Sequence, residues 1–243
     1  MLVFAGVLAG AMNAAAGGGS FVTLPALVFV GVPALSANAS STVALFPGAL
    51  ASAYAYRDDV TPIAGTTLPV LIALSLLGGL VGALLLLFTP QRQFDQVVPW
   101  LMLLATVVFA LGGKLGMLLR ARLSLGRRTI LAMQFLLGVY GGYFGGAVGL
   151  MMMALWSVTS TLALRPMNAT KTLLVGASNA VAVLCFIAAG KVWWAQTSCV
   201  LVGAILGGYF GAVVARRIPA GRLRAGISVF NVAMTIVFFV RSR

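Results

Sequence analysis

The stretch Gly10-Ala11-Met12-Asn13-Ala14-Ala15-Ala16-Gly17-Gly18-Gly19-Ser20-Phe21 decides how this chain folds. It sits inside an apolar segment covering residues 2–31. That segment is longer than the roughly 20 residues a single membrane crossing needs. Three successive glycines and a serine break it near its middle. A second long segment, 129–163, is broken in the corresponding place by Gly141-Gly142-Tyr143-Phe144-Gly145-Gly146 and Gly149.

The correspondence extends along the whole chain. Gly6-Val7-Leu8-Ala9-Gly10 matches Gly138-Val139-Tyr140-Gly141-Gly142, and Ala37-Asn38-Ala39-Ser40-Ser41-Thr42 matches Met167-Asn168-Ala169-Thr170-Lys171-Thr172. Gly78-Gly79-Leu80-Val81-Gly82-Ala83 matches Gly207-Gly208-Tyr209-Phe210-Gly211-Ala212, and Thr106-Val107-Val108-Phe109 matches Thr235-Ile236-Val237-Phe238. The offsets run from 129 (78 to 207) to 132 (6 to 138), in order. Ordered matches at nearly one offset indicate a duplication.

Composition fixes the solvent. Of 243 residues, 61% are hydrophobic and 8% charged, and mean hydropathy is +1.09. A soluble domain carries about 25% charge, so the chain is expected to be an integral membrane protein. Eight apolar segments are expected, at about 2–31, 36–56, 62–88, 96–119, 129–163, 167–189, 193–215 and 225–240. Stretches such as 68–88 are apolar on every side, unlike the alternating strands of a membrane barrel. The acids are Asp58, Asp59 and Asp95, and there is no Glu or His. No metal cluster, catalytic triad or intramembrane carboxylate pair can be assembled from that inventory. Cys185 and Cys199 lie in apolar runs and imply no disulfide framework. Ala14-Ala15-Ala16 resembles a signal-peptide cleavage site, but no basic region precedes it and the pattern recurs in the second half, so it reads as mature structure.

The net charge of +13 resides mostly in Arg between apolar runs. In a membrane protein such residues set topology and meet anionic lipid rather than nucleic acid. If segments one and five each spanned once, the basic runs at 120–128 and 216–224 would lie on opposite sides, against the positive-inside rule. If each dips in and returns, each half makes three crossings and the halves are inverted. One side then collects ten Arg (57, 120, 122, 127, 128, 165, 216, 217, 222 and 224), and both termini lie outside the cytoplasm. The expected fold is therefore all-α and membrane-integral, with two repeated four-segment halves, 1–119 and 129–243, joined by a basic loop at 120–128. Duplicated, Gly-interrupted segments are the pattern of secondary transporters.

The run from Gly10 to Phe21, followed by Leu24-Pro25-Ala26-Leu27 and Gly31-Val32-Pro33, resembles the sulfite exporter TauE/SafE family of membrane transporters. So do Ala37-Asn38-Ala39-Ser40-Ser41-Thr42 and Pro166-Met167-Asn168-Ala169-Thr170-Lys171-Thr172, with Asn179 downstream. The resemblance covers nearly the whole chain. It implies a multi-pass permease of the bacterial cytoplasmic membrane, without ATPase machinery, serving small anions such as sulfite or sulfonates. The second half departs from the pattern, with Gly145-Gly146-Ala147-Val148-Gly149 in place of a clean triple Gly.

Two constellations can hold an anion. A broken helix leaves N–H groups and a partial positive charge at its N-terminus. Asn13, Gly17, Gly18, Gly19 and Ser20, with Gly145, Gly146 and Gly149, are therefore expected to line the substrate site. The competing use of such glycines is close helix packing, which is the expected role of Gly78-Gly79 and Gly207-Gly208. The second constellation is the stripe Asn168, Lys171, Thr172 and Asn179, at i, i+3, i+4 and i+11 on one helix face. It is matched by Asn38, Ser41 and Thr42 in the first half. Lys171 would supply countercharge, since ionisable residues inside membrane segments are usually functional; snorkelling to the interface is its other reading. Met151-Met152-Met153 reads as adaptable packing.

The expected function is a non-enzymatic permease that moves a small oxyanion by alternating access, one half moving against the other. Its partners are the anion and membrane lipid, a homo-oligomer being compatible, and no cofactor or metal is implied. Coupling through a proton, sodium or the membrane potential stays open. An anion channel and a membrane-embedded scaffold are the alternatives.

Overall fold

The computed structural model describes residues 1–15, 18–63, 65–120, 126–159, 164–215 and 220–241. Among these it is all-helical, with α1 (Leu2–Ala15), α2 (Ser20–Phe29), α3 (Ala34–Ala55), α4 (Leu68–Phe88) and α5 (Gln91–Arg120) in the first half. The second half has α6 (Arg127–Tyr143), α7 (Val148–Thr159), α8 (Leu164–Ala188), α9 (Trp194–Ala215) and α10 (Ala220–Arg241). Segment boundaries differ from expectation where caps and Pro intervene. The helix of the third segment, α4, starts at Leu68 rather than residue 62, with Pro69 in its first turn, and α5 begins at Gln91, just after Pro90. Helix also extends to Arg120 and resumes at Arg127, which shortens the basic connection at both ends.

The molecule is apolar outside. Leu77, Leu84, Leu85 and Phe88 of α4, Leu184 of α8, Val202 and Ile205 of α9, and Val229 and Ile236 of α10 are exposed. Asn38, Ser40, Ser41, Gln134, Thr170, Ser178 and Asn231 are buried instead. Only a hydrocarbon solvent accommodates that distribution. Among the described residues, two helices are long and apolar enough to cross a membrane by length and composition, Leu68–Phe88 and Arg165–Ala188.

Both broken segments fold back as helical hairpins. In a continuous helix, residues 9 and 19 would stand about 15 Å apart. Here a Cβ built on Gly19 would lie 2.7 Å from the Ala9 carbonyl oxygen. Ala5 and Ala9 also share one apolar cluster with Val22 and Ala26. In the second hairpin a Cβ on Gly141 would lie 3.3 Å from Val148 Cγ2, and Gln134 Nε2 is 3.9 Å from Met152 Sδ. Helices of 14 and 10 residues, α1 and α2, are about 21 and 15 Å long, short of the roughly 30 Å hydrocarbon core.

The second break is sharp despite its alanine. Gly145 and Ala147 take φ of +74° and +57°, and Ala147 is left-handed without being Gly. A left-handed alanine costs about 1–2 kcal/mol, of which a glycine's extra chain entropy returns about 0.5–1 kcal/mol. Ala147→Gly is therefore expected to raise the thermal midpoint in detergent by about 2 °C. A lower midpoint would contradict the strained assignment.

Helix pairing crosses between the halves. α1 packs along α9 as α6 packs along α4, while α3 meets α8 and α5 meets α10. Glycines make the seams: Gly6 and Gly10 lie against Val200, Ala204 and Gly208 of α9, and Gly78 and Gly82 against Phe135 and Val139 of α6. Between α5 and α10, Thr106 Oγ1 and Thr235 Oγ1, 129 residues apart in sequence, lie 3.2 Å apart.

Candidate functional site

The turn Asn38–Thr42 of α3 touches both hairpins. Asn38 Nδ2 donates to the Tyr143 carbonyl at 2.9 Å, which satisfies the end of α6. Thr42 Oγ1 donates to its own helix at Asn38 O (2.9 Å) and lies 3.5 Å from where a Cβ on Gly145 would be. On the other side, the Ser41 hydroxyl is hydrogen-bonded to the Thr23 hydroxyl of α2. All three α3 residues are buried.

The equivalent turn of α8 meets the second hairpin. A Cβ on Gly149 would lie 3.0 Å from Lys171 Cδ, so the lysine stem crosses the first turn of α7. Lys171 Nζ donates to Asn168 Oδ1 at 2.6 Å, and Thr172 Oγ1 donates to Asn168 O at 2.8 Å. Within five residues, the second break thus joins the polar turn of α3 at Gly145 to that of α8 at Gly149. Among the described residues the ion pairs are Arg57–Asp58 and Arg165–Asp59. Asp95 accepts from Gln91 Nε2 at 2.8 Å. All three acids thereby have other partners, and among the described residues none forms an ion pair with Lys171.

The two breaks differ in how their amides are used. At the first, Asn13 Oδ1 accepts from Gly18 N–H (3.1 Å) and Gly19 N–H (2.8 Å). The side chain occupies the place where a ligand oxygen would sit, as a helix cap does. At the second, helix geometry leaves the amides of Val148 and Gly149 without intrahelical acceptors, next to the stem of Lys171. Gly146 faces the Phe144 ring, and Ser20 opens α2 half-buried. Gly17 lies outside the described residues.

Asn179 shares the helix face but not the place. Eleven residues carry it about 16 Å along α8 from Asn168, and its Oδ1 is buried without a hydrogen-bond partner. The expected packing glycines do face backbone: Gly78 and Gly79 meet α6 and Ser178, and Gly207 meets Val7. Thr23, Ser40 and Thr170 are buried polar residues outside the Asn/Lys/Thr stripe. Ser40 and Thr170 align as hydroxyls 130 residues apart but flank the stripe rather than belong to it. Gln134, also outside it, is buried on α6 and bonded to Ser75 Oγ at 3.0 Å.

Apolar outer faces, two broken hairpins and a buried polar turn between them describe a polytopic membrane transporter. The family model "Sulfite exporter TauE/SafE" matches residues 2–238. The "Probable membrane transporter protein YfcA" of Escherichia coli (strain K12) is 32% identical over 213 residues, covering 87% of this chain and 78% of its own. A "Probable membrane transporter protein" of Haemophilus influenzae is 29% identical over 238 residues, covering 97% and 92%. The "Probable membrane transporter protein ORF9" of Sinorhizobium sp. is 27% identical, covering 97% and 90%. No solved structure matches the chain. The chain belongs to the TauE/SafE family, whose members are membrane transporters and not enzymes.

Proposed function

We propose that the protein is a secondary permease that carries a small oxyanion, sulfite or an organosulfonate, across the bacterial cytoplasmic membrane by alternating access. The observation that carries this reading is Lys171: a cation among helices, without a carboxylate, lying across the first turn of α7. An anion seated there would balance the charge and accept from the open amides of that turn. Asn168, Thr172, Asn38, Ser41 and Thr42 would supply hydrogen bonds, and Gly145, Gly146 and Gly149 close approach to backbone. Asn13 with Gly18, Gly19 and Ser20 forms the self-capped counterpart in the first half, and Asn179 would line the path further along α8.

The topology that goes with this site is two inverted repeats, 1–119 and 129–243, each with one re-entrant hairpin. Its support is the contact of Arg165 Nε with Asp59 Oδ2 at 2.9 Å. Single crossings by segments one and five would put those residues on opposite faces. The Arg-rich face is the cytoplasmic one in this reading, and both termini lie outside. Because the α1–α9 and α4–α6 seams join the halves, each moving body consists of a hairpin and its seam partner rather than of one sequence half.

Purified protein in proteoliposomes tests the function directly. Saturable sulfite or sulfonate flux with counterflow is the expected result. Flux without counterflow would identify a channel, and no flux across a panel of sulfite, sulfonates, carboxylates and phosphate would identify a scaffold.

A further inference from the structure

We propose that two hydroxyls at one repeat position, Ser40 and Thr170, are the latch points of two gates, one at each end of the α3–α8 pair. The proposal rests on the transporter reading above and assigns it residues that no substrate argument selects.

Thr170 Oγ1 accepts from Thr61 N–H at 3.1 Å and donates to Thr61 O at 2.8 Å. Thr61 belongs to the connection that leaves α3. Ser40 Oγ accepts from Trp193 N–H at 3.0 Å, and Trp193 belongs to the connection that leaves α8. The hydroxyls stand 130 residues apart (40 to 170) and the amide donors 132 apart (61 to 193), within the offsets of the repeat. Each half therefore ties the loop after its own long helix to the polar turn of the other half. The two loops follow the C-terminal ends of α3 and α8. These helices run antiparallel, because Thr61 just after α3 meets Thr170 near the start of α8, and Trp193 just after α8 meets Ser40 near the start of α3. The ties consequently lie at opposite ends of the pair.

Their placement is what makes them gates. Thr170 stands between Asn168 and Lys171, and Ser40 between Asn38 and Ser41, so each loop covers the polar turn from its own end. Both hydroxyls are fully buried, where a hydrogen bond is strengthened by the lack of competing water. The two polar turns meet across the second break, so releasing one tie opens the joint polar region to that end alone and leaves the other end closed, as alternating access requires. The two ties are unequal. The first carries the reciprocal pair at Thr61 and the Arg165–Asp59 ion pair, one turn from Thr170. The second is the single bond to Trp193 N–H.

Side-specific thiol labelling tests this. Ser41→Cys serves as probe in a chain whose Cys185 and Cys199 are replaced by Ala, reconstituted in vesicles and labelled with an impermeant reagent from either face. Asp59→Asn is expected to raise labelling about two- to fivefold from the Arg165 face only, the population change that loss of one partly exposed ion pair allows. Ser40→Ala is expected to raise it about fivefold from the opposite face only, the change for one hydrogen bond. Exchanging the pair, Asp59→Arg with Arg165→Asp, should return labelling to its starting level. Unchanged labelling, or an equal rise from both faces, overturns the gates. Labelling needs no substrate, so variants that pass this test while the parent chain, with Ser41 intact, moves no anion would refute the transport reading and leave the gates standing. Where flux is present, a reducible bifunctional thiol reagent joining Asp59→Cys to Arg165→Cys should stop it, and reduction should restore it; flux that persists through the cross-link also overturns the gates.

Discussion

Lys171→Met is expected to leave the protein folded while removing most of its affinity for anions. Methionine retains an unbranched stem to lie across Gly149, so the packing against α7 survives. What disappears is the ammonium, its bond to Asn168 Oδ1, and the positive charge carried by the side chain that lies across the first turn of α7. Charge-assisted hydrogen bonds are worth about 1.5–3 kcal/mol, which predicts an affinity loss of about 10- to 150-fold. Stability should move the other way. A cation held among helices without a carboxylate is costly in the empty protein, so the ligand-free midpoint of Lys171→Met should equal or exceed that of the parent chain. Thermal melts over a sulfite titration read both effects in one experiment. A variant with parental anion stabilisation would remove Lys171 from the site and return it to snorkelling.

Arginine at 171 separates charge from shape. Its guanidinium is broader than an ammonium, and the stem already touches the glycine whose Cβ position lies 3.0 Å from Lys171 Cδ. Charge is kept but the fit over Gly149 is not, so recovery should be partial.

The helical breaks were legible because glycine is informative where a long apolar run must turn: the interruptions at 17–20 and 141–149 fall where α1 meets α2 and α6 meets α7. The proposed repeat rests on a similar signal, since polar residues are scarce enough here for Asn38 and Asn168 to align. Ala147 was not legible as a turn residue. An alanine gives no sign that it will adopt a left-handed conformation; the hairpin imposes that on it. The unlike use of the two breaks was hidden too. Asn13 and the Gly18 and Gly19 amides are close in sequence, but whether the side chain caps its own break or faces a ligand depends on a rotamer. The ties of Ser40 to Trp193 and Thr170 to Thr61 span 153 and 109 residues. Such pairings follow from how the halves interlock, which periodicity within one helix cannot show.

The interlock itself is the second large prediction. Gly207→Ala is expected to prevent recovery of folded protein, whereas Gly208→Ala, one residue on, should be tolerated. A Cβ on Gly207 would overlap the Val7 carbonyl oxygen and crowd the Val7 Cα, all of it backbone of a packed helix that cannot rotate aside. On Gly208 the nearest foreign atom is the Gly10 carbonyl oxygen, 4.0 Å away. In an otherwise neutral helix position alanine is favoured over glycine by about 1 kcal/mol, so Gly208→Ala should be neutral or slightly stabilising. Relief at Gly207 requires α1 and α9 to separate along a seam that also holds Gly6, Gly10 and Gly203, and overpacking of that kind costs about 3 kcal/mol or more. The equivalent seam predicts the same of Gly82→Ala, whose Cβ would overlap the Val139 carbonyl oxygen of α6. Monodisperse yield from detergent and the thermal midpoint check all three variants together. Parental values for Gly207→Ala would mean that α1 is not held at backbone contact, and the hairpin could then slide alone instead of carrying α9 with it. Loss at 207 and 82 with retention at 208 would instead fix each hairpin to a long helix of the other half, so that any motion opening one gate must move residues from both halves at once.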